Sequence, residues 1–301
     1  MFATAVSTLT GVLDRRFLRS SFALSLAFMV LSGVVVLAGM GRLGAVITTW
    51  QSWPALTQLL AAAGFIAAVW VLAVVVQSQT RSITQGFEGY WSGPLRGLRS
   101  YGESRHWQRL DELRSAGKVA EIYARYPLSR NQVMATRLGN ILRAAEQYPS
   151  DRYGANAILV WPRLYPLLPD NVITGVAQAR ESLEFLLVLS ALATAFGTLS
   201  AIYLLVMGAS VWLFLLCFWG ALAVAILAYR SSLGAALLYA EVLRSAFDLY
   251  RLDVLTSMRL PAPAGAEAER ERWTEVTDLV LRNEPLPQPY PPPPDPAPTD
   301  A

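Results

Sequence analysis

The sequence predicts an all-α membrane protein: a four-helix transmembrane protein with a helical cytosolic module and a disordered Pro-rich C-terminal tail. Three observations support this fold class. Of the 301 residues, 54% are hydrophobic and only 16% are charged, and four uncharged apolar stretches each reach at least 19 residues. Soluble domains carry roughly a quarter charged residues, and a helix of ~20 residues crosses a bilayer core of ~30 Å. Composition therefore excludes an ordinary soluble globular protein.

The four predicted transmembrane helices are Phe22–Met40, Ala55–Val76, Phe185–Met207 and Val211–Tyr229. The first is longer than the ~7–15 apolar residues of a secretory signal peptide, and no small-residue cleavage site follows it. We therefore interpret the arginines that precede it, at positions 15, 16 and 19, as a topology anchor.

Charge predicts the orientation of these helices. Residues 77–182 hold 13 Arg and Lys118 against nine acidic residues, whereas the connection 41–54 holds only Arg42. Basic segments that flank transmembrane helices stay in the cytoplasm. We expect a multi-pass protein of the cytoplasmic (inner) membrane with both termini in the cytoplasm and the lipid bilayer as its first partner.

Aromatic residues fit this orientation. Trp50, Trp53 and Trp212 fall at the outer ends of the predicted helices, and Tyr229 falls at an inner end. Tryptophan and tyrosine are enriched at the two membrane–water interfaces. The connection between the first two helices is therefore predicted to lie at the outer interface.

Changes of composition divide the chain into five parts. They are an N-terminal segment with the first transmembrane hairpin (1–76), a cytosolic helical module (77–182), a second transmembrane hairpin (183–229), a cytosolic amphipathic helix (230–260) and a disordered acidic, Pro-rich tail (261–301). Glycine and proline clusters and shifts of charge mark the boundaries.

Within the module, apolar spacing predicts one helix from Ser104 that breaks at Gly117, and a second that Ser129 caps and Pro149 ends. A further helix begins at Asp170 or Asn171 and is expected to continue unbroken into the third transmembrane helix.

A helical apolar stripe also follows the fourth transmembrane helix, over Leu233–Leu255. Arg244 has the spacing to pair with Glu241 and with Asp248 on the same helix. This helix either extends the fourth span and covers the module, or provides a partner-binding groove.

The tail is acidic: residues 262–301 hold eight acidic residues against three Arg. A short amphipathic piece around Trp273 precedes Pro285–Pro298, whose composition favours disorder with polyproline II character. Three interpretations stay open: a solvated tail, a tail folded loosely on the basic module, or a docking peptide for a proline-reading domain.

Small and hydroxyl residues form one stripe along the third transmembrane helix. They are Ser190, Ala193, Thr194, Gly197, Thr198 and Ala201. Small residues let helix backbones approach closely, which predicts helix packing, within the monomer or in a homo-oligomer. The alternative is that the hydroxyl groups line a polar path through an oligomer.

Arginines interleaved with aromatics suggest a second candidate site in the module. Arg137, Arg143, Arg152 and Arg163 are candidate contacts for an anion or a lipid headgroup, since guanidinium groups bind phosphate well. Ion pairs with nearby acidic residues, or topology alone, explain the same pattern.

The sequence lacks recognisable motifs for metal binding, nucleotide binding or active transport. One Cys and one His are too few for a Cys/His zinc site, and neither a Walker-type loop nor a dinucleotide fingerprint occurs. The predicted spans hold no ionisable residue, which argues against an active transporter. We expect no catalytic residues, no metal, no cofactor and no nucleic-acid partner.

Four motifs carry a family resemblance: Phe87-Glu88-Gly89-Tyr90-Trp91, the run from Thr136 to Glu146, Arg152-Tyr153-Gly154, and Trp161-Pro162-Arg163-Leu164. The chain resembles a family of uncharacterised multi-pass membrane proteins from high-GC, actinobacterial-type bacteria over most of residues 20–255. The resemblance implies the topology and implies no activity.

These observations favour a non-catalytic membrane scaffold or sensor that presents the basic module and the tail to a cytosolic protein partner. The alternative is an oligomeric passive channel lined by the third transmembrane helix. A membrane-associated enzyme is the third hypothesis, with Arg137, Asn140, Glu146 and Arg163 as its candidate residues.

Overall fold

A computed structural model describes residues 21–284, which form α-helices joined by short turns and contain no strand. In chain order the helices are α1 Ala23–Gly39, α2 Leu43–Ser52, α3 Ala55–Glu88, α4 Arg96–Ser115, α5 Val119–Arg125, α6 Arg137–Tyr153, α7 Ala157–Leu164, α8 Asp170–Val206, α9 Val211–Ser257 and α10 Ala266–Arg282. The predicted all-α class is confirmed.

Three of these helices, α3, α8 and α9, are long and apolar enough to cross a membrane. Helices α1 and α2 meet the same criterion only as a pair, and they bend by 107° at the break between them. The chain therefore has three candidate spans, or four if the bent pair counts as one, which suggests a membrane protein.

Two of the candidate spans extend well beyond their apolar portions. Helix α8 has 37 residues and α9 has 47, so the helices predicted from Asp170 and over Leu233–Leu255 are continuous with the third and fourth apolar stretches. Both of these predictions are confirmed. The tight connection between α8 and α9 uses Gly208, whose φ of +61° is readily adopted only by glycine.

The chain divides into two compact units. Among the described residues, the apolar unit comprises 21–87 and 181–235, and the polar unit comprises 88–180 and 236–284. Helices α8 and α9 contribute residues to both units.

In the apolar unit, a small core forms around Val35, Leu204 and Cys217, with Tyr203 packed against it. The Tyr203 hydroxyl donates to the Val36 carbonyl at 2.9 Å and so links α8 to α1. Many large apolar side chains of this unit face outwards instead, with Trp212 81% exposed. Soluble proteins rarely expose apolar surface on this scale, whereas lipid covers it readily.

The polar unit has a conventional buried core. Leu110 and Leu113 of α4 pack with Tyr126 and Val133. Nearby, the buried Asn140 side chain accepts a hydrogen bond from the Met134 N–H at 2.9 Å and donates to the Met134 carbonyl at 2.8 Å. These bonds satisfy the amide group and fix the loop that precedes α6, because an unpaired buried polar group is costly.

Two local predictions about α6 differ from the structure, and a further helix is present for which no prediction was made. The N-cap of α6 is Thr136, not Ser129, since the Thr136 hydroxyl accepts from the Gly139 N–H at 3.0 Å. The helix also runs through Pro149 and ends at Gly154, whose φ is +78°. The connection between the first two predicted spans contains a helix, α2.

The tail differs most from its prediction. Disorder was predicted from residue 261, but α10 forms an ordered helix whose Trp273 is fully buried. The acidic composition of this segment does not suggest a folded helix. Burial of the Trp273 indole explains why α10 forms one. Pro285–Pro298 and the N-terminal arginines lie outside the described residues.

Candidate functional site

The predicted stripe of the third span divides between buried and exposed positions on α8. Ser190, Gly197 and Ala201 are buried, whereas Thr194 and Thr198 are exposed and Ala193 is intermediate. A Cβ on Gly197 would lie 2.8 Å from the Ala221 Cβ, which shows how closely α8 approaches α9.

Hydroxyl groups of this stripe bond to backbone carbonyls. Ser190 Oγ donates across the helix pair to the Ala225 carbonyl at 3.0 Å. Thr194 and Thr198 donate to the Ser190 and Thr194 carbonyls of their own helix, at 2.8 and 2.9 Å. The buried part of the stripe thus packs closely against α9. The exposed Thr194 and Thr198 hydroxyls bond to carbonyls of α8 itself.

The four predicted anion-binding arginines do not converge on one site. Arg137 and Arg152 lie 15 residues apart on α6, which separates them by ~22 Å along the helix axis. Arg143 is occupied by Gln132 Oε1 at 2.8 Å and Glu146 at 3.1 Å. Arg163 donates to the Leu159 carbonyl. A single ligand does not reach all four.

A partly buried network in the polar unit centres on the carboxylate of Asp248. Tyr148 donates to both its oxygens, at 2.9 and 3.0 Å, and Tyr153 donates at 2.6 Å. These bonds join α6 to α9. Burial, followed by the bonds to Asp248, raises the pKa of both phenols above the ordinary tyrosine value. Both tyrosines therefore stay protonated at neutral pH and act as donors.

Arg244 completes the network from the same helix. Its guanidinium lies 4.5 Å from the Tyr123 ring centroid and donates to the Tyr123 carbonyl at 2.9 Å. The side chain is only 3% exposed, and its predicted partner Glu241 lies 3.6 Å away. The other predicted partner, Asp248, is instead bonded by the two tyrosines. Cation–π contact offsets part of the cost of burying the charge.

A second ion pair fastens α10 to the polar unit. Arg251 Nε donates to Glu269 Oε1 at 2.6 Å, and the same oxygen accepts from Trp273 Nε1 at 3.3 Å. The Arg251 guanidinium also stacks 3.8 Å from the Tyr153 ring centroid. This contact connects the α10 anchor to the Asp248 network.

The end of α6 accepts α10 at close range. The Arg270 guanidinium donates to the carbonyls of Asp151 and Arg152, both at 3.1 Å, and so binds the free carbonyls at the helix terminus. A Cβ on Gly154 would lie 3.3 Å from the Arg270 Cα. Glycine at this position therefore allows both the positive φ that ends α6 and the close approach of α10.

Glu88 of the polar unit is a carboxyl group whose surroundings strongly favour its protonated form. Burial, and then the negative charge of Glu146, raise its pKa to about 7, while Arg143 opposes the shift. Its carbonyl accepts from the Thr136 hydroxyl at 2.9 Å. Gly139 lies so close that an added Cβ would be only 2.1 Å from the same carbonyl oxygen.

The apolar unit contains a small polar pocket. Ser21, Gln77, Thr80, Glu181 and Glu184 contribute polar groups to it, and Ser21 Oγ donates to Gln77 Oε1. The cavity has room for about one water molecule, which is too little for an organic ligand.

Within residues 21–284, no three His, Cys, Asp or Glu side chains come together in a group able to hold a metal ion. His106 contacts the Tyr126 hydroxyl at 3.0 Å, and burial, aided by Arg137 and Arg105, lowers its pKa. This histidine therefore stays mainly neutral at physiological pH.

Comparisons with known proteins do not extend these observations. No protein-family model matches the chain, and no curated protein or solved structure is significantly similar to it. The resemblance to uncharacterised multi-pass proteins therefore stays a prediction.

The Asp248 network was missed by sequence reasoning. Tyr148 and Tyr153 lie 100 and 95 residues before Asp248, and no local spacing connects either tyrosine to that carboxylate. The sequence shows the Arg152-Tyr153-Gly154 motif and the amphipathic piece around Trp273. Neither pattern indicates which helix these residues contact.

Proposed function

We propose that this protein is a non-catalytic scaffold or sensor of the bacterial cytoplasmic membrane. It presents its polar unit and its Pro-rich C-terminal segment to a cytosolic protein partner. The observation that carries this proposal is the attachment of α10 to the polar unit, immediately before the Pro-rich segment.

The attachment of α10 combines apolar burial with paired charges. Trp273 is fully buried and Val276 is 2% exposed. The Arg251–Glu269 ion pair has both side chains largely buried, at 17% and 10% exposure. A tryptophan buried to this extent contributes several times more than a surface ion pair. The chain is thus fixed as far as Arg282, only three residues before Pro285.

The Pro-rich segment supplies the recognition chemistry. Four consecutive prolines occur at Pro291–Pro294 within Pro285–Pro298. Proline-rich peptides adopt the polyproline II conformation at low entropic cost, and aromatic grooves in recognition domains bind them. Fixing the start of such a segment holds it near the surface of the polar unit, so one partner can contact both.

For the membrane arrangement we propose four transmembrane helices with both termini in the cytoplasm. The basic segment 77–182 favours a cytoplasmic location of the polar unit. Close contact between Gly197 and Ala221 supports a packing role for the third-span stripe over a pore-lining role.

Crosslinking in native membranes tests the proposed function. Three forms are compared: the full chain, a truncation that ends at Glu284, and a variant with Pro291–Pro294 changed to serine. We expect the full chain to capture a discrete protein partner that both altered forms lose. The truncation is placed after α10 because removing that helix would also expose the site of Trp273.

A matched control changes Pro261 and Pro263 to serine, in the linker before α10. This variant should retain the partner, and all forms should keep the thermal unfolding midpoint of the native chain. Recovery of the protein alone, or equal capture by all four forms, would rule the proposal out.

A further inference from the structure

The geometry points to α2 as an in-plane membrane helix: we propose that its apolar face lies in the outer lipid–water interface. The occupant of this face is the interfacial region of the outer leaflet. The inference concerns the apolar unit and is independent of the partner proposed for the polar unit.

Helix α2 has two chemically different faces. Leu43, Val46, Ile47 and Trp50 recur at positions i, i+3, i+4 and i+7, within an arc of about 100° around the helix axis. Their exposed fractions are 48%, 37%, 65% and 41%, so no described residue of the apolar unit covers this stripe. An exposed apolar stripe of this kind is typical of helices that lie in a membrane interface.

The rest of the α2 surface is largely polar. Thr48 and Ser52 lie opposite the apolar stripe, Thr49 and Gln51 flank it, and all four are exposed. The Thr48 and Ser52 hydroxyls donate to the Ala45 and Thr49 carbonyls at 2.9 and 2.7 Å, whereas the Gln51 amide makes no such bond. Inside the hydrocarbon core an exposed amide is costly, because no water is available to it. This surface therefore favours water over the bilayer interior.

The bend between α1 and α2 gives the helix its in-plane direction. Helix α1 has 17 residues and so covers ~25 Å, close to the thickness of the bilayer core. A turn of 107° at its end directs α2 across the axis of α1. Arg42 lies at this bend, is exposed, and forms no ion pair with any residue that the structure describes. A lipid phosphate at the interface is a suitable counterion for its guanidinium.

The far end of α2 is fixed to the start of α3. Gln58 Nε2 donates to the Trp50 carbonyl at 2.7 Å and to the Trp53 carbonyl at 3.3 Å. The two tryptophan rings lie 5.8 Å apart. Since α3 begins its apolar stretch at Ala55, these rings lie at the membrane boundary, where tryptophan is enriched. Helix α2 is thus connected to a membrane helix at both ends.

Spin-label accessibility in lipid nanodiscs tests this proposal. The only cysteine, Cys217, is first replaced by alanine, and single cysteines are then placed at Val46 or Ile47 on the apolar face. Matched controls carry the cysteine at Ala45 or Thr48 on the opposite face. We expect the ratio of oxygen to water-soluble nickel accessibility to be several-fold higher at Val46 and Ile47 than at the controls.

Each other outcome overturns the proposal in a recognisable way. High nickel accessibility on both faces means that α2 lies in water. Low nickel accessibility on both faces means that α2 enters the hydrocarbon core as part of a broken span. Dipolar broadening between labels at Ile47 means that a second copy of the chain covers the apolar face. All four positions are exposed, so the substitutions should leave the thermal midpoint unchanged.

Discussion

The carboxylate of Asp248 connects two helices that are distant in sequence. We expect Asp248→Asn to lower the free energy of unfolding by about 1–3 kcal/mol, because it replaces charge-assisted hydrogen bonds with neutral ones. The pKa of Tyr148 and Tyr153 should also fall towards the ordinary value of about 10, since the bonds to Asp248 help to raise it. Thermal unfolding and an alkaline absorbance titration measure the two effects.

Asp253→Asn is the matched control for this change. Asp253 lies on the same helix, α9, and is exposed. The Asp253→Asn substitution should alter neither the thermal midpoint nor the tyrosine titration. Equal effects of the two substitutions would mean that Asp248 acts through net charge and not through its bonds to the tyrosines.

Glu88 should make the stability of the polar unit depend on pH. Its pKa is raised to about 7 in the folded chain, so the protonated carboxyl is the form that the fold favours. This stabilising contribution is fully present below the unfolded-state pKa of about 4.5 and is lost as pH rises through about 7. For this partly exposed group we expect a loss of about 1–3 kcal/mol.

Glu88→Gln tests this dependence because glutamine is neutral at every pH. The variant should match the native chain at pH 5 and should have the higher thermal midpoint at pH 8. Glu112→Gln, at an exposed carboxylate of α4, serves as the control and should leave the pH profile unchanged. A native-like profile in Glu88→Gln would contradict the assignment.

The contact between α3 and α6 depends on the absence of a side chain at Gly139. An added Cβ would lie 2.1 Å from the Glu88 carbonyl oxygen and 3.0 Å from the Met134 Cβ, both of which are fixed. We expect Gly139→Ala to cost about 2 kcal/mol or more in unfolding free energy, in the range of overpacked core substitutions. Thermal unfolding followed by near-ultraviolet circular dichroism measures the change.

Gly175→Ala in α8 is the comparison for this substitution, since nothing lies within 4 Å of its added Cβ. It should be neutral or should stabilise the chain by up to about 1 kcal/mol, because alanine is the better helix former. If both substitutions had the same effect, helix propensity and not the contact with Glu88 would explain the result.

Helix α6 shows how packing overrides a local stop signal. Proline in a helix interior removes one hydrogen bond and is usually a terminator. Here α6 continues four residues beyond Pro149, and this last turn contains Tyr153, which bonds to Asp248. The contacts of the last turn with α9 and α10 compensate for the missing bond.

The proposed topology predicts which side of the membrane each part of the whole chain occupies. In a Cys217→Ala background, single cysteines are placed at Ser210, Ser115 and Glu284, which are all exposed. A membrane-impermeant maleimide should label the Ser210 position in intact spheroplasts. It should label the Ser115 and Glu284 positions only after permeabilisation, because the basic segment is predicted to be cytoplasmic.

The reversed labelling pattern would place the polar unit outside the cytoplasm. Labelling of Ser115 and Glu284 on opposite sides would mean that the number of membrane crossings between them is odd. In either case the proposed cytosolic partner would lose its support.

Much of the fold follows from local features. Uncharged apolar stretches predict α3, α8 and α9, and helical spacing predicts the continuations of α8 and α9 beyond those stretches. The candidate site was predictable only in part. Helical spacing predicted ion pairs for Arg244 and an amphipathic segment around Trp273. It did not predict that Arg244 contacts Tyr123 or that Trp273 bonds to Glu269. These contacts depend on which helices meet, and spacing along one helix carries no such information.

Composition and spacing along the chain are enough to predict a membrane protein, its apolar helices and the charge of the segments between them. These properties depend on the solvent that each stretch of side chains prefers, which is a local property of the chain. The separate helix α2, the ordered helix α10 and the two tyrosine bonds of Asp248 became visible only in the folded chain. The last two outcomes require residues far apart in sequence to meet, since burial of Trp273 and pairing of Asp248 stabilise the chain only once the helices have packed.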